Sequence, residues 1–332
     1  MFRKFLREIA IRLAVYGIPL LTAGWYMIRM PGVSGTELGT VQTRHDLELE
    51  QALRRDVATL AGEIGERNVE FEPLHLAAAA EFVERSFLKA GYTPHSQSYL
   101  VGNVSCRNIE VEIRGTSPSG EIVVIGAHYD SVPGSPGADD NATGVAALLA
   151  LARKFAGAHP VRTLRFVAFT NEEPPYFWTE QMGSNVYARE CRRRGDRIAA
   201  MVSLESLGTY GGPQRYPFPL HYLYPATGNF VGFVGNLSSR TLVHQTIAAF
   251  RQTTPFPSEG ASLPNAIPGV GWSDHWSFWR QGYRAIEITD TAPYRNMNYH
   301  TPQDSPDKID YPRMASVVAG LERVVEMMAA GQ

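Results

Sequence analysis

Two kinds of hydrophobic pattern alternate along most of the chain. Apolar residues recur at helical spacing in residues 47–64 and 74–90, which predicts two amphipathic helices at the start of a globular domain. Shorter apolar runs that predict strands follow at residues 96–101, 108–113, 122–127, 164–170, 199–204 and 285–289. The run at 122–127 is uninterrupted, as is typical of a strand buried on both faces. A helix is predicted at residues 143–155, after a loop rich in Gly, Pro and Asp at residues 130–140.

This alternation of strands and helices favours an α/β fold. Strands that are joined through helices pair in parallel, and the helices then cover both faces of the sheet. We therefore predict a three-layer α/β/α sandwich with a central mixed, mostly parallel sheet. Sheets of this kind bind their ligands in the loops at the carboxyl ends of the strands.

The first thirty residues have a different pattern. Four basic residues among the first twelve precede an uncharged apolar run at residues 13–28. This order predicts an uncleaved membrane anchor, with a cleaved secretory signal and a buried amphipathic helix as alternatives. The predicted organisation is an anchor or signal segment at residues 1–32, a linker at 33–45 and one domain at 46–332. The basic residues would stay in the cytoplasm, so the domain would lie outside it, in the periplasm or the extracellular space.

Composition and charge narrow the possible partners. The formal net charge is −2, so no long-range positive field would attract nucleic acid, and no nucleic-acid partner is expected. The two cysteines, Cys106 and Cys191, are too few for a disulfide framework and lack the spacing of a zinc knuckle or a redox motif. One disulfide and two separate thiols both remain possible from the sequence.

Imidazole and carboxylate groups follow successive predicted strands. Because the carboxyl ends of parallel strands meet at one edge of a sheet, we expect these side chains to lie close together. Nitrogen and oxygen ligands without thiolate suit zinc or a related divalent ion, and five or six of them suit two ions roughly 3.5–4 Å apart that share a carboxylate. The candidates are His128, Asp130, Asp139, Asp140, Glu172, Glu173, Glu205 and His300.

Each of these residues also has a purely structural explanation. The cluster at residues 139–141 suits a turn that caps the following helix. The pair His128 and Asp130 suits a polar loop, and residues 172–173 suit a solvated strand end. The occurrence of all of them in order, at the ends of successive strands, favours the metal site.

Six segments give the chain a resemblance to the co-catalytic zinc aminopeptidases of the M28 peptidase family. The likeness covers roughly residues 60–330, and it implies a zinc-dependent exopeptidase that removes N-terminal residues from a peptide or an aminoacyl amide. It also implies two Zn²⁺ ions per chain and makes residues 46–332 the catalytic domain. The segments are VVIGAHYDS at 123–131, GADDNATGVAALL at 137–149, FVAFTNEEPP at 166–175, MGS at 182–184, SDHWSFW at 273–279 and YHTPQD at 299–304.

Carried over position by position, the resemblance implies a set of zinc ligands. Asp140 would bridge the two ions, with His128 on one and with Glu173 and His300 on the other. Glu205 stands where the best-known aminopeptidases have an aspartate, and it is retained here as a ligand of the His128 zinc.

The resemblance also implies catalytic and supporting roles. Glu172 would be the general base that accepts a proton from a zinc-activated water, and Tyr299 would stabilise the oxyanion. Asp130 would orient His128 from behind the ligands, and Asp304 is a second supporting carboxylate. The stretch at residues 174–178, which contains three aromatic residues, is expected to form a wall of the substrate pocket.

Two other functions fit the same residues. A glutaminyl-cyclase-like acyltransferase would use a single zinc ion, whereas a catalytically inactive binding protein would keep the peptidase fold without its activity. The number of bound metal ions would separate the first alternative from a peptidase, and the complete ligand set argues against the second. Neither the oligomeric state nor the preferred N-terminal residue is predicted.

Overall fold

An eight-stranded mixed sheet runs through the part of the chain that the computed structural model describes, residues 13–36 and 43–331. The strands are β1 His95–Val101, β2 Val104–Ile113, β3 Glu121–His128, β4 Thr163–Phe169, β5 Arg197–Glu205, β6 Val231–Asn236, β7 Ser258–Leu263 and β8 Ala285–Thr289. The helices are α1 Ile18–Ile28, α2 Arg44–Val57, α3 Pro73–Lys89, α4 Gly144–Phe155, α5 Gly183–Arg194, α6 Arg240–Thr253, α7 His275–Arg280, α8 Ala292–Arg295 and α9 Tyr311–Ala330. Short π-helical stretches occur at Leu13–Gly17, Ala58–Ile64 and Ala138–Thr143.

The spatial order of the strands is β1-β2-β4-β3-β5-β8-β6-β7. The central strands β4, β3, β5 and β8 are parallel to one another. Strands β1 and β2 extend one side in antiparallel pairs, while on the other side β6 runs antiparallel to β8 and parallel to β7. The predicted mixed, mostly parallel sheet is therefore confirmed.

Alternate residues of β3 pack into two different hydrophobic cores, one on each face of the sheet. The sheet therefore lies between two layers of helices, as a three-layer fold requires. Val123 and Ile125 pack in the larger core with α2, α3, α4, α6 and α9, whereas Ile122 and Val124 pack on the opposite face with α5 and α7. The two cysteines are free buried thiols, and they lie in these two different cores. They therefore do not form a disulfide.

The apolar run at residues 13–28 forms a helix that packs against the sheet edge. Arg240 donates a hydrogen bond to the backbone oxygen of Tyr26 at 2.8 Å and lies over its ring. The next residues also contact the domain, because Arg251 donates to the Pro31 carbonyl at 2.8 Å. Within residues 13–36 and 43–331, no helix combines the length and the apolar character that a bilayer crossing requires. The predicted basic flank at residues 1–12 lies outside the described residues.

Candidate metal centre

The sheet brings His128 and Glu205 to one edge, because each is the last residue of its strand. His128 ends β3 and Glu205 ends β5, and these two strands are parallel neighbours. Strand β4 lies on the other side of β3 and pairs Phe169 with His128, so the chain after β4 delivers Glu172 and Glu173 to the same edge. All four side chains are almost completely buried. The edge predicted from the strand pattern is the one at which these side chains meet.

A first group of potential ligands surrounds His128. Its Nε2 atom lies 3.2 Å from Oδ1 of Asp140 and 3.3 Å from Oε2 of Glu205. One ligand-type atom from each of the three residues lies within 4.8 Å of the others. This group has the size and the donor types of a divalent metal site.

A second group shares Asp140 with the first. The other carboxylate oxygen of Asp140, Oδ2, lies 3.0 Å from Nε2 of His300, and that nitrogen lies 3.2 Å from Oε2 of Glu173. These three residues also place one ligand-type atom each within 4.8 Å of one another. The structure thus brings together all five predicted ligands. Asp140, the predicted bridging carboxylate, lies between the two groups.

The two predicted supporting carboxylates hold the backbone of the ligands in place. Asp304 accepts hydrogen bonds from the backbone N–H groups of residues 139 and 140, at 2.9 and 3.1 Å. Asp130 accepts from the backbone N–H groups of residues 172 and 173, each at 3.1 Å. Its Oδ1 is 3.6 Å from Nδ1 of His128, which is longer than a hydrogen bond. Asp130 therefore lies beside the imidazole that it was predicted to orient, but it makes its hydrogen bonds to the glutamate loop.

Asp139 and Asn141, which flank Asp140, anchor it in the loop. Asp139 accepts hydrogen bonds from the Gly208 N–H, the Thr209 hydroxyl and the Asn296 amide. Asn141 donates to the Leu204 carbonyl and accepts from the N–H groups of residues 144 and 206. The Asp140–Asn141 peptide bond is cis. Asp139, a candidate on sequence grounds, thus points away from the two ligand groups.

Two neighbours of the ligands had no role assigned from the sequence, although both belong to the SDHWSFW segment. Ser273 donates a hydrogen bond to Oε2 of Glu205 at 2.7 Å. Asp274 is fully buried, and neither carboxylate oxygen has a hydrogen-bond partner among the described residues. Burial raises the pKa of Asp274 to about 7, against the effect of His128. The resemblance in this segment was the available signal for both residues.

The acidic side chains crowd one another at this edge, and the pKa values reflect it. Burial and the nearby Asp140 raise the pKa of Glu173 to about 7. Burial also raises the pKa of Glu172 well above its ordinary value, with Glu205 and Glu173 adding to the effect and His128 opposing it. Burial lowers the pKa of His300, but its contacts with Asp140 and Glu173 outweigh that effect and raise it to about 10. This concentration of buried negative charge favours a bound cation.

Unsatisfied polar atoms at the centre support the same conclusion. Both ring nitrogens of His128 and Oε1 of Glu173 are buried without a hydrogen-bond partner in the part of the chain that the structure describes. Buried polar atoms normally have partners, because an unpaired one loses its interactions with water. A metal ion coordinated by these atoms would remove that cost, so the residues fit a metal centre.

An apolar cavity opens beside the two ligand groups. Glu205 and Tyr299 lie in its lining, and the remaining walls come from the loops and strands between residues 214 and 294. Its empty volume, including the open solvent at its mouth, is about 830 Å³. Residues 174–178 are not part of this lining, so the aromatic wall expected from the sequence does not belong to this cavity. Trp272 and Tyr294, which stack on each other, contribute to the wall instead.

The fold and this centre define the chain as an α/β protein with a candidate metal centre at the carboxyl edge of its sheet. The zinc aminopeptidase BSAP of Bacillus subtilis has a similar fold, with a TM-score of 0.67 at 14% identity over 83% of this chain and 94% of that one. A glutaminyl cyclase of Tannerella forsythia has the same fold, with a TM-score of 0.62 at 18% identity over 83% of this chain and 98% of that one. Likeness at these identities establishes the fold alone.

The sequence places the chain in a particular family. Residues 108–325 match the model of peptidase family M28, and the chain belongs to that family. It is 37% identical to the uncharacterized protein YfbL of Escherichia coli over 74% of this chain and 79% of that protein. It is 27% identical to aminopeptidase YwaD of Bacillus subtilis over 58% of this chain, but it spans only 38% of that protein. Membership of this family supports zinc as the metal of the centre.

Proposed function

We propose that the chain is a zinc-dependent aminopeptidase that hydrolyses N-terminal residues from peptides or aminoacyl amides. The observation that carries this proposal is the pair of ligand groups that share Asp140, with Glu172 beside them and an apolar cavity at one side. The names of relatives such as aminopeptidase YwaD favour the amino-terminal direction of attack.

The five ligands would hold two zinc ions per chain. One ion would take His128, Asp140 and Glu205, and the other would take Asp140, Glu173 and His300. Bound zinc supplies Lewis-acid chemistry, which polarises a carbonyl group and acidifies a water molecule. The side chain of Glu205 is longer than the aspartate that the best-known aminopeptidases have at this position. It is nevertheless held in place, because the hydroxyl groups of Ser206 and Ser273 each donate a hydrogen bond to one of its carboxylate oxygens.

Glu172 is the group placed to move the proton. Its Oε2 lies 3.9 Å from Nε2 of His128, at the edge of the first ligand group without being part of it. Its backbone is held by Asp130, so the carboxylate stays directed into the site. A carboxylate in this position accepts the proton of the attacking water and returns it to the departing amine. Burial raises the pKa of Glu172 well above its ordinary value, which makes its carboxylate a stronger base.

Tyr299 is the candidate donor to the oxyanion. Its ring stacks on His300, with 3.8 Å between the ring centroids, and it also lines the apolar cavity. Burial raises the pKa of Tyr299 well above its ordinary value, and nearby carboxylates such as Asp140 and Glu173 add to the effect, so the phenol keeps its proton. A protonated phenol at the boundary between ligands and cavity donates a hydrogen bond to a developing negative oxygen.

Metal content and reaction class can be measured together. We expect the purified full chain to hold two zinc ions by mass spectrometry and to release fluorophore from aminoacyl amides of 7-amino-4-methylcoumarin. A chelator should abolish this activity and added zinc should restore it. One zinc per chain with cyclisation of an N-terminal glutamine would instead identify the glutaminyl-cyclase reaction. Two zinc ions with no turnover of a broad peptide panel would favour a binding protein.

We also propose that the N-terminal segment attaches the enzyme to a membrane, with the catalytic domain on the non-cytoplasmic side. The support is the set of large apolar side chains that the helical run leaves exposed, among them Leu20 and Leu21 at 72% and 76%. Trp25 is also exposed, and tryptophan suits the interface between lipid and water.

Replacing both leucines tests this attachment. The full chain should sediment with vesicles of phosphatidylethanolamine and phosphatidylglycerol, and the double variant Leu20→Glu/Leu21→Glu should partition at least about 10-fold less, because it no longer inserts two apolar side chains. Leu74→Glu is the matched control, since Leu74 is equally exposed on the catalytic domain at 81%. Equal losses in the control and the double variant would contradict the proposal.

A further inference from the structure

Besides Glu205 of the candidate metal centre, two acidic side chains line the apolar cavity, Glu287 and Glu259. Glu287 is the more buried of the two, with 5% of its surface exposed. Its carboxylate makes no hydrogen bond and no ion pair with any residue in the described ranges 13–36 and 43–331. A buried carboxylate without a partner is costly, and this one faces a space that a ligand can enter.

Strand geometry explains why Glu287 points into the cavity. On β8, Ile286 and Ile288 pack into the larger core, so the side chain of Glu287 projects from the opposite face of the sheet. In register, Glu287 lies opposite Val234 of β6, and Val234 lies opposite Ala261 of β7. Neither of these neighbours has a side-chain donor. On the other side of β8, Glu287 lies opposite Ser203 of β5, whose hydroxyl is hydrogen-bonded to that of Ser273 at 2.8 Å.

The next row of the sheet places the second acid nearby. Thr289 pairs with Gly232, and Gly232 pairs with Glu259. Gly232 has no side chain to fill the space between these rows. Glu259 is only partly buried, and the positive charge of Arg251 acts on it. Burial raises the pKa of Glu287 well above its ordinary value, and the negative charges of Glu205 and Asp140 add to the effect. A ligand cation beside Glu287 would offset this repulsion and keep the side chain ionised, so Glu287 has the greater need of one.

The remaining walls suit an extended apolar chain. They include Val234, Leu263, Leu220, Tyr224, Phe230 and Trp272. Aliphatic and aromatic walls of this kind pack against the methylene groups of a long side chain, and aromatic rings also attract a cation near their faces. The cavity begins at Glu205 and Tyr299, in the metal centre, and includes the two acids among its other walls.

We infer that this cavity selects substrates whose N-terminal residue carries a long side chain ending in a positive charge, as in lysine or arginine, and that Glu287 is the specificity-determining residue. The inference rests on the proposed aminopeptidase function. With the scissile bond at the metal centre, the side chain of the N-terminal residue enters the cavity, its methylenes contact the apolar walls, and its cation pairs with Glu287. The Coulombic attraction between the two charges is stronger between these apolar walls than in water, because the effective dielectric constant is lower there.

Lysine and norleucine substrates test this inference, because both side chains are unbranched chains of four carbon atoms and only that of lysine ends in an ammonium group. The zinc-loaded full chain should have a kcat/KM for lysyl-7-amido-4-methylcoumarin at least about 10-fold above that for the norleucyl analogue. Glu287→Gln should lower this ratio at least about 10-fold. Both substrates report on the same active fraction of enzyme, so the ratio is independent of folding and metal content.

Three results would overturn the inference. The first is a wild-type ratio near one. The second is an equal loss on both substrates in Glu287→Gln, which would mean that Glu287 binds the α-amino group common to both. The third is a larger fall in the ratio for the matched variant Glu259→Gln, which would assign the selectivity to the other acid.

A binding measurement separates this inference from the proposed reaction. Zinc-loaded Glu172→Gln protein is titrated calorimetrically with lysinamide and with norleucinamide, and lysinamide should bind at least about 10-fold more tightly. Adding Glu287→Gln should remove that difference. If no amide is hydrolysed by the wild type but this difference in binding is present, the proposed function fails and the cation site stands. Equal binding of the two amides would reject the cation site regardless of turnover.

Discussion

Replacing Glu172 with glutamine is expected to lower kcat/KM on aminoacyl amides at least about 100-fold while both zinc ions stay bound. The amide keeps the shape of the side chain but accepts no proton at neutral pH. Zinc should be retained because Glu172 stands outside both ligand groups, and its Oε2 lies 3.9 Å from Nε2 of His128. The measurements are steady-state kinetics and zinc content by mass spectrometry.

The control for this variant is Glu180→Gln. Glu180 lies in the same segment between β4 and α5, but it is exposed and pairs with Arg189 at the surface. Its replacement should leave both kinetics and zinc content unchanged. Activity of Glu172→Gln within 10-fold of the wild type would remove Glu172 from the role of base, and loss of one zinc would make it a ligand instead.

Asp140→Asn is expected to weaken both zinc sites at once and to abolish activity. Each carboxylate oxygen of Asp140 faces a different histidine, Oδ1 toward His128 and Oδ2 toward His300. An amide retains one oxygen and loses the negative charge, so each site loses part of its attraction for the ion. Changes to residues behind the ligands already cost about 10–100-fold in metal affinity, and a shared ligand should cost at least the upper end of that range at each site.

His300→Gln provides the comparison, because His300 belongs to only one ligand group. That variant should keep about one zinc per chain after dialysis against a weak chelator, whereas Asp140→Asn should keep none. Circular dichroism of both variants checks that the sheet is intact. If Asp140→Asn retains one zinc with wild-type affinity, Asp140 is not shared and the two-ion proposal fails.

The candidate metal centre was predictable because most of its residues follow strands that the local sequence reveals. His128 and Glu205 each end a strand whose apolar run is visible in the sequence, and Glu172 follows another such strand by three residues. Parallel strands meet at one edge, so the order of these residues along the chain predicts their proximity. His300 was harder to place from this rule because it lies in a loop beyond β8, and its family motif supplied the missing information.

The sequence by itself determined the α/β class, the central strands and the identity of the acidic and imidazole groups. Hydrophobic periodicity reports which face of an element is buried, and this property is local. Strands β6 and β7 were not predicted, because VGFVGN and SEGASL contain glycine and small polar residues that give little strand signal.

Only the tertiary structure decided the cavity and the position of Glu287 in it. That cavity depends on β6 and β7 pairing next to β8 and on distant loops that cover them. Glu287 occurs within the apolar sequence AIEIT, where nothing local shows whether its carboxylate meets water, a partner or an empty pocket. The register of three strands that are far apart in the chain settles that question, because strand pairing is non-local and apolar periodicity does not encode it.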